Sequence, residues 1–239
     1  MGVPARVLGA GLAGCAVLAV AACGSSTAGS ASGAASPAAS PAGEPSARSL
    51  VSSMQTSVRS ASSVHVAGKL SQSGTPLSID LNLSRNGDMA GTITQDGASA
   101  QVVAVDSEIY VKATEAFLKE MKAPAGACGL VCGKWIRLSA QQAGQLTGDL
   151  SMTSLMAPLT SGQVPKLTAA GQATVAGQRA WVLRAADGST LDVSTSSRHY
   201  PLEAANGGSP RQVVTYSQWN AVPVPAPPPA SQILNVSGV

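Results

Sequence analysis

Aromatic residues make up only 3 % of this 239-residue chain, and Phe117 is the sole phenylalanine. Bulky core fillers are therefore scarce, although an alanine-rich coding bias produces the same scarcity. Charge is also sparse, at 11 % of residues, and the 15 Lys and Arg are scattered singly, with no basic stripe and no aromatic interleaving. That distribution argues against nucleic acid as a partner. There is no Gly-x-Ser-x-Gly elbow, no phosphate loop and no His-Glu-x-x-His, so the chain is not expected to be an enzyme. The two histidines, His65 and His199, stand alone in sequence and read as structural or solvated. Asp80, Asp88, Asp96 and Asp106 recur on polar strand faces or at turns, where solvation and turn chemistry account for them better than a metal or an acid–base pair. No metal and no cofactor are expected.

What the chain does have begins at its first residues. Arg6 is followed by a mostly apolar run, Val7 to Ala22, interrupted by Gly9, Gly11 and Gly14. These are the charged and apolar regions of a secretory signal, and the run is shorter than the roughly 20 apolar residues of a membrane-spanning helix. Its end, Val20-Ala21-Ala22-Cys23, resembles a bacterial lipobox. The resemblance implies cleavage before Cys23, a diacylglyceryl group on its thiol and often acylation of its new amine. Ordinary secretion and a retained helix are the alternatives. Two or three acyl chains hold a protein durably on a membrane, each buried CH₂ contributing about 0.8 kcal/mol.

Residues 1–22 are thus expected to be a lipoprotein signal peptide, and 23–47 the lipidated cysteine with a linker. Gly24 to Ala47 is almost wholly Ser, Ala, Gly and Pro, a composition that cannot offset the entropy of ordering. As a flexible coil it spans roughly 27 Å. Residues 48–239, about 190 in all, suffice for one domain with a substantial core. Loss of Arg6 leaves a nearly neutral protein. Cys15 departs with the signal and Cys23 carries lipid, so Cys128 and Cys132 remain as an even pair in an oxidising compartment, read as a disulfide. A zinc site lacks further ligands nearby, and the spacing is not that of a Cys-x-x-Cys redox motif.

Along the domain, Leu50, Met54 and Val58 recur at i, i+4 and i+8, which predicts an amphipathic helix over Arg48 to Ala61. Strand alternation begins at Val64 and is clearest from Thr75 to Ser84, where Leu77, Ile79, Leu81 and Leu83 alternate with polar residues. Asn86-Gly87 predicts a type I′ hairpin turn. Asp96-Gly97 and Asp106-Ser107 turn the chain again, and Gln101 to Val105 and Glu108 to Ala113 extend an antiparallel meander. Thr114 caps a short helix, Glu115 to Lys122, ended by Pro124 and the glycine-rich cysteine loop. Lys134 to Leu138 reads as a strand. Ser139-x-x-Gln142 is a capping box opening a helical region that continues through Leu150 to Leu159. A second strand-rich half runs from about Leu167 to Trp219, and Pro223 to Pro229 predict an extended, peripheral tail.

In that order and spacing, several segments resemble the actinobacterial LppX/LprA/LprF/LprG lipoproteins, whose fold is like that of LolA. They are Val64-His65-Val66-Ala67-Gly68, Leu81-Asn82-Leu83, Ile109 to Ala113, Gly133 to Leu138, Val175-Ala176-Gly177-Gln178, Tyr200-Pro201-Leu202 and Tyr216-Ser217-Gln218-Trp219. The resemblance runs from about Arg48 to Pro229, and the Cys128 to Cys132 loop departs from it. It implies an α+β fold, a curved antiparallel β half-barrel with helices on its concave face and an apolar cavity for acyl chains. The alternation of apolar residues is itself compatible with either a pocket or a dry core.

The expected function is that of a membrane-anchored extracytoplasmic lipoprotein binding, and transferring, lipids or lipoglycans. The chain is expected to be a monomer with the membrane and a lipid as partners; the alternative is an envelope sensor or protein-interaction module on the same fold. Candidate lining residues are Leu77, Ile79, Leu81, Leu83, Val103, Val105, Ile109, Val111, Leu183 and Leu191 from strands, and Phe117, Leu118, Met121 and Leu155 from helices.

Overall fold

The structure, a computed structural model, describes residues 44–72, 75–120, 122–161 and 166–234. The signal segment, Cys23, linker residues 24–43 and Met121 lie outside these residues, and the end of the expected linker, Ser46 and Ala47, instead opens the first helix. The Ser46 hydroxyl accepts a hydrogen bond from the Ser49 backbone N–H at 3.2 Å, satisfying one of the free donors of α1, Ala47–Ser60. The predicted spacing is realised there, with Leu50, Met54 and Val58 buried on one stripe. Strands β1 (Ser63–Gln72), β2 (Thr75–Ser84), β3 (Met89–Gln95), β4 (Ala98–Val105) and β5 (Glu108–Ala113) follow. Next come α2 (Glu115–Glu120), α3 (Ala127–Val131), β6 (Trp135–Arg137), α4 (Ala140–Leu150) and α5 (Met152–Thr160). The second strand series is β7 (Thr168–Val175), β8 (Gln178–Arg184), β9 (Thr190–Ser194), β10 (Pro201–Ala205) and β11 (Val213–Ser217), with β12 (Ile233–Leu234) in the tail.

All of these strands belong to one 12-stranded sheet in the order β12-β6-β5-β4-β3-β2-β1-β11-β10-β9-β8-β7. Two meanders of sequence neighbours meet where β1 pairs with β11, and the two ends, β12 and β7, do not close. The protein is therefore an α+β fold built on an open antiparallel half-barrel. One pairing breaks the antiparallel rule: the tail strand β12 runs parallel to β6. The proline-rich segment before it forms neither helix nor strand, as prolines without N–H groups favour, but it delivers Ile233 and Leu234 to the sheet edge.

The turns follow local chemistry. Asp96-Gly97, Asp106-Ser107 and Ala176-Gly177 each have positive φ at both central residues and close two-residue hairpins, the type I′ arrangement that suits the twist of the strands. Asn86-Gly87 does not. Only Gly87 has positive φ, at 100°, and the Gly87 N–H reaches the Ser84 carbonyl while the Ser84 N–H reaches that of Asp88. Those bonds define a three-residue loop with glycine in the left-handed position, the second common hairpin solution. The cysteine loop also differs from the sequence reading, since its residues wind into the short α3. Cys128 and Cys132 form a disulfide across it, with Cα atoms 4.7 Å apart.

The register sets which side chains share a face. Val66, Leu81, Gly91, Val102, Val111 and Ile136 lie in one row, and Leu183, Leu191, Ala204 and Val214 in another. On this inner face α1 and α5 pack, and Leu50, Met54, Met152, Met156 and Leu159 join the strand residues in a single core. Val103 and Val105 stand on the opposite face. The run Val102 to Val105 is apolar in both parities, and the Asp106-Ser107 turn pairs Val105 with Glu108, which turns Val102 and Ala104 inward instead. The predicted capping box forms: the Ser139 N–H donates to Gln142 Oε1 at 3.2 Å, and the Gln142 N–H to Ser139 Oγ at 3.4 Å.

Candidate functional site

A cavity of about 470 Å³ opens between α5 and the inner face of the strands from β2 through β1, β11 and β10 to β9. Each wall has a sequence reason. Alternation in β1 and β2 brings Val66, Leu70 and Ile79 inward, and the same period in β9 to β11 supplies Leu191, Ala204, Val214 and Tyr216. Ser151 caps α5 by accepting from the Ser154 N–H at 3.1 Å, and the helix then presents Ser154, Leu155, Pro158 and Leu159 to the cavity.

No charged residue occurs in this wall. Besides Ser154 and Tyr216, its polar members are Ser189, Asn206 and Gln212 from the β8–β9 and β10–β11 connections and Thr190 at the start of β9, and hydrogen bonds tie this border down. The Gly207 N–H donates to Ser189 Oγ at 3.1 Å, the Gln212 N–H to Asn206 Oδ1 at 2.8 Å, and Arg211 Nη2 to Thr190 Oγ1 at 3.1 Å. An apolar interior with a short polar border is the usual construction of a small-molecule site.

Of the residues singled out from sequence, Ile79, Leu155 and Leu191 line this cavity. Leu81, Leu83, Ile109 and Leu183 lie in the buried core, with Leu77 and Val111 packed against it. Val103 and Val105 are on the other face of the sheet. Phe117 is half-buried on α2, and Leu118 borders a separate hollow that includes Cys128 and Pro124. Val214 and Tyr216 were not among the candidates, although both fall in the strand-rich half expected from Leu167 to Trp219; which half of the sheet α5 leaves uncovered is set by tertiary packing.

A second constellation lies on the outer face. His65 Nδ1 is 2.9 Å from Ser217 Oγ, and His65 Nε2 is 2.9 Å from Asp80 Oδ1, the residue types of a nucleophile, a base and its orienting acid. The setting is wrong for catalysis. The three residues are neighbours across β2, β1 and β11, and the Asp80 side chain is 72 % exposed. Strand N–H groups lie in the sheet plane and so do not point at an oxyanion formed above it. The cluster ties three strands together. Among the described residues no group of three or more His, Cys, Asp or Glu is placed to hold a metal ion, and no helix is long and apolar enough to cross a membrane.

No family model matches the chain, and no curated protein matches it. Among solved structures it is similar to the Mycobacterium tuberculosis lipoprotein LppX, with 18 % identity over 75 % of this chain and 100 % of that one and a TM-score of 0.47. It is also similar to MucB in complex with MucA, at 19 % identity over 80 % of this chain and 63 % of that one, TM-score 0.35. An uncharacterized conserved protein from Thermus thermophilus matches at 9 % identity over 79 % and 98 % of the two chains, TM-score 0.34.

Proposed function

We propose that this chain is an extracytoplasmic lipoprotein that binds a lipid in the cavity beneath α5, with acyl chains on Cys23 holding it at the membrane. The observation that supports this most is the uncharged wall of an open cavity of about 470 Å³, inside the size range of ligand sites, roughly 300 to 1,000 Å³. An acyl chain entering it gains about 0.8 kcal/mol for each CH₂ removed from water, and the polar border formed by Ser189, Thr190, Asn206 and Gln212 suits the more polar end of such a molecule. A gap of this kind left dry in a core forfeits packing contacts.

Native mass spectrometry of the purified chain tests the proposal. The expected result is co-purified lipid in the parent chain and markedly less in Leu155→Trp, whose indole narrows the cavity from the half-buried face of α5, with the circular dichroism spectrum unchanged. Lipid retained equally by both, or found in neither, would sink it.

A second reading, a protein-interaction module, is favoured by one feature. Among the described residues β7 pairs only with β8, so its outer edge presents free backbone groups to which a partner strand can add. A stable protein partner together with an empty cavity would favour that reading.

A further inference from the structure

The three tyrosines of the chain are Tyr110, Tyr200 and Tyr216, and buried tyrosine hydroxyls ordinarily find a hydrogen-bond partner. Tyr110 donates to the Glu108 carboxylate. The Tyr200 hydroxyl accepts from Asn220 Nδ2 at 2.7 Å, and its ring stacks on Trp219. Tyr216 is 7 % exposed, its ring tilts against Trp219, and its hydroxyl has no partner among the described residues. The side-chain oxygens that are fully enclosed without a partner belong to Asn82 and Asp192; that of Tyr216 is not one of them. Tyr216 is one of the residues that line the cavity.

Burial pushes the Tyr216 phenol up to about 12, so at neutral pH the group is a proton donor. No cation lines the same wall. An ionised carboxylate or phosphate carried to this depth would be a buried charge without a counter-charge, whereas a neutral carbonyl oxygen is an acceptor the hydroxyl can satisfy at little desolvation cost.

We propose that Tyr216 is the polar anchor of the cavity, its hydroxyl donating a hydrogen bond to the carbonyl oxygen of a neutral acyl ester whose chain lies between α5 and the sheet. This rests on the reading of the cavity as a lipid site. It adds a specificity: within one chain length, the cavity prefers a ligand bearing an ester carbonyl over a plain hydrocarbon, by an amount that depends on one hydroxyl.

The test uses the full chain and two monounsaturated C18 probes, methyl oleate, which carries an ester group, and 1-octadecene, which has none, each measured by displacement of the fluorescent hydrocarbon diphenylhexatriene. Tyr216→Phe keeps the ring against Trp219 and removes only the hydroxyl. It is expected to weaken methyl oleate about three- to tenfold, the range for one neutral hydrogen bond, and to leave 1-octadecene within about twofold. In the parent chain the infrared carbonyl stretch of bound methyl oleate is expected at lower wavenumber than in hexane, a readout that needs no variant. Equal loss of both ligands, no loss of either, or an unshifted carbonyl stretch overturns the anchor while leaving the cavity reading intact. A parent chain that binds neither probe overturns both.

Discussion

On β9 the Asp192 side chain points away from the inward Leu191 and Val193, next to Glu203 on β10. Burial first, and the Glu203 carboxylate second, push its carboxyl above the ordinary value of 3.8, with Arg211 pulling the other way. The native state therefore holds this proton more tightly than the unfolded chain does. Stability from this group is full below the unfolded value and falls as pH rises through the higher native one, staying lost at neutrality. Asp192→Asn fixes the neutral form and is expected to raise the melting temperature near about pH 7, the gain closing toward about pH 3. A gain that is the same at both ends would show that repacking, not ionisation, is responsible. Sequence showed Asp80 on a polar strand face, and it is there. The partnership of His65 with Ser217 joins residues 152 apart, and no local pattern carries that information.

Among the elements, β3 meets β2 and β1 meets the start of β11 at two glycines that leave no room for a side chain. A Cβ on Gly91 would sit 2.0 Å from the Asp80 carbonyl oxygen, and one on Gly68 2.4 Å from that of Val213. Since neither obstacle is a flexible side chain, the backbone itself has to move. Gly91→Ala is expected to cost about 2 to 3 kcal/mol, in the range for overpacked interiors, read from urea unfolding as a lower midpoint at unchanged slope. A midpoint within error of the parent would mean that the strands spread freely here. Helices and hairpins were the most legible parts of the chain, because caps, positive-φ turn residues and alternation act over a few neighbours. The exceptions are as informative. Asn86-Gly87 closes a longer loop than its dipeptide suggests, since Ser84 pairs with Asp88, and α3 forms where glycines argued for irregular chain.

For the whole molecule the proposed anchor and the proposed cavity make one account, in which the domain works beside its ligand's source. Cys23→Ala is expected to shift the chain from the membrane pellet to the soluble fraction; a variant still found in the pellet would undo the account of Cys23. The tail matters at this scale too, because β12 runs parallel to β6 and covers an edge that would otherwise be open to other strands. By itself the sequence determined the helix stripe of Leu50, Met54 and Val58, the inward parity of Leu77 to Leu83, the turn positions and the pairing of Cys128 with Cys132, all through interactions between residues near one another in the chain. Tertiary structure alone decided that β1 pairs with β11 and that α5 leaves space over Tyr216. Those outcomes depend on register and on which faces meet across more than a hundred residues, and a periodic pattern is silent about both.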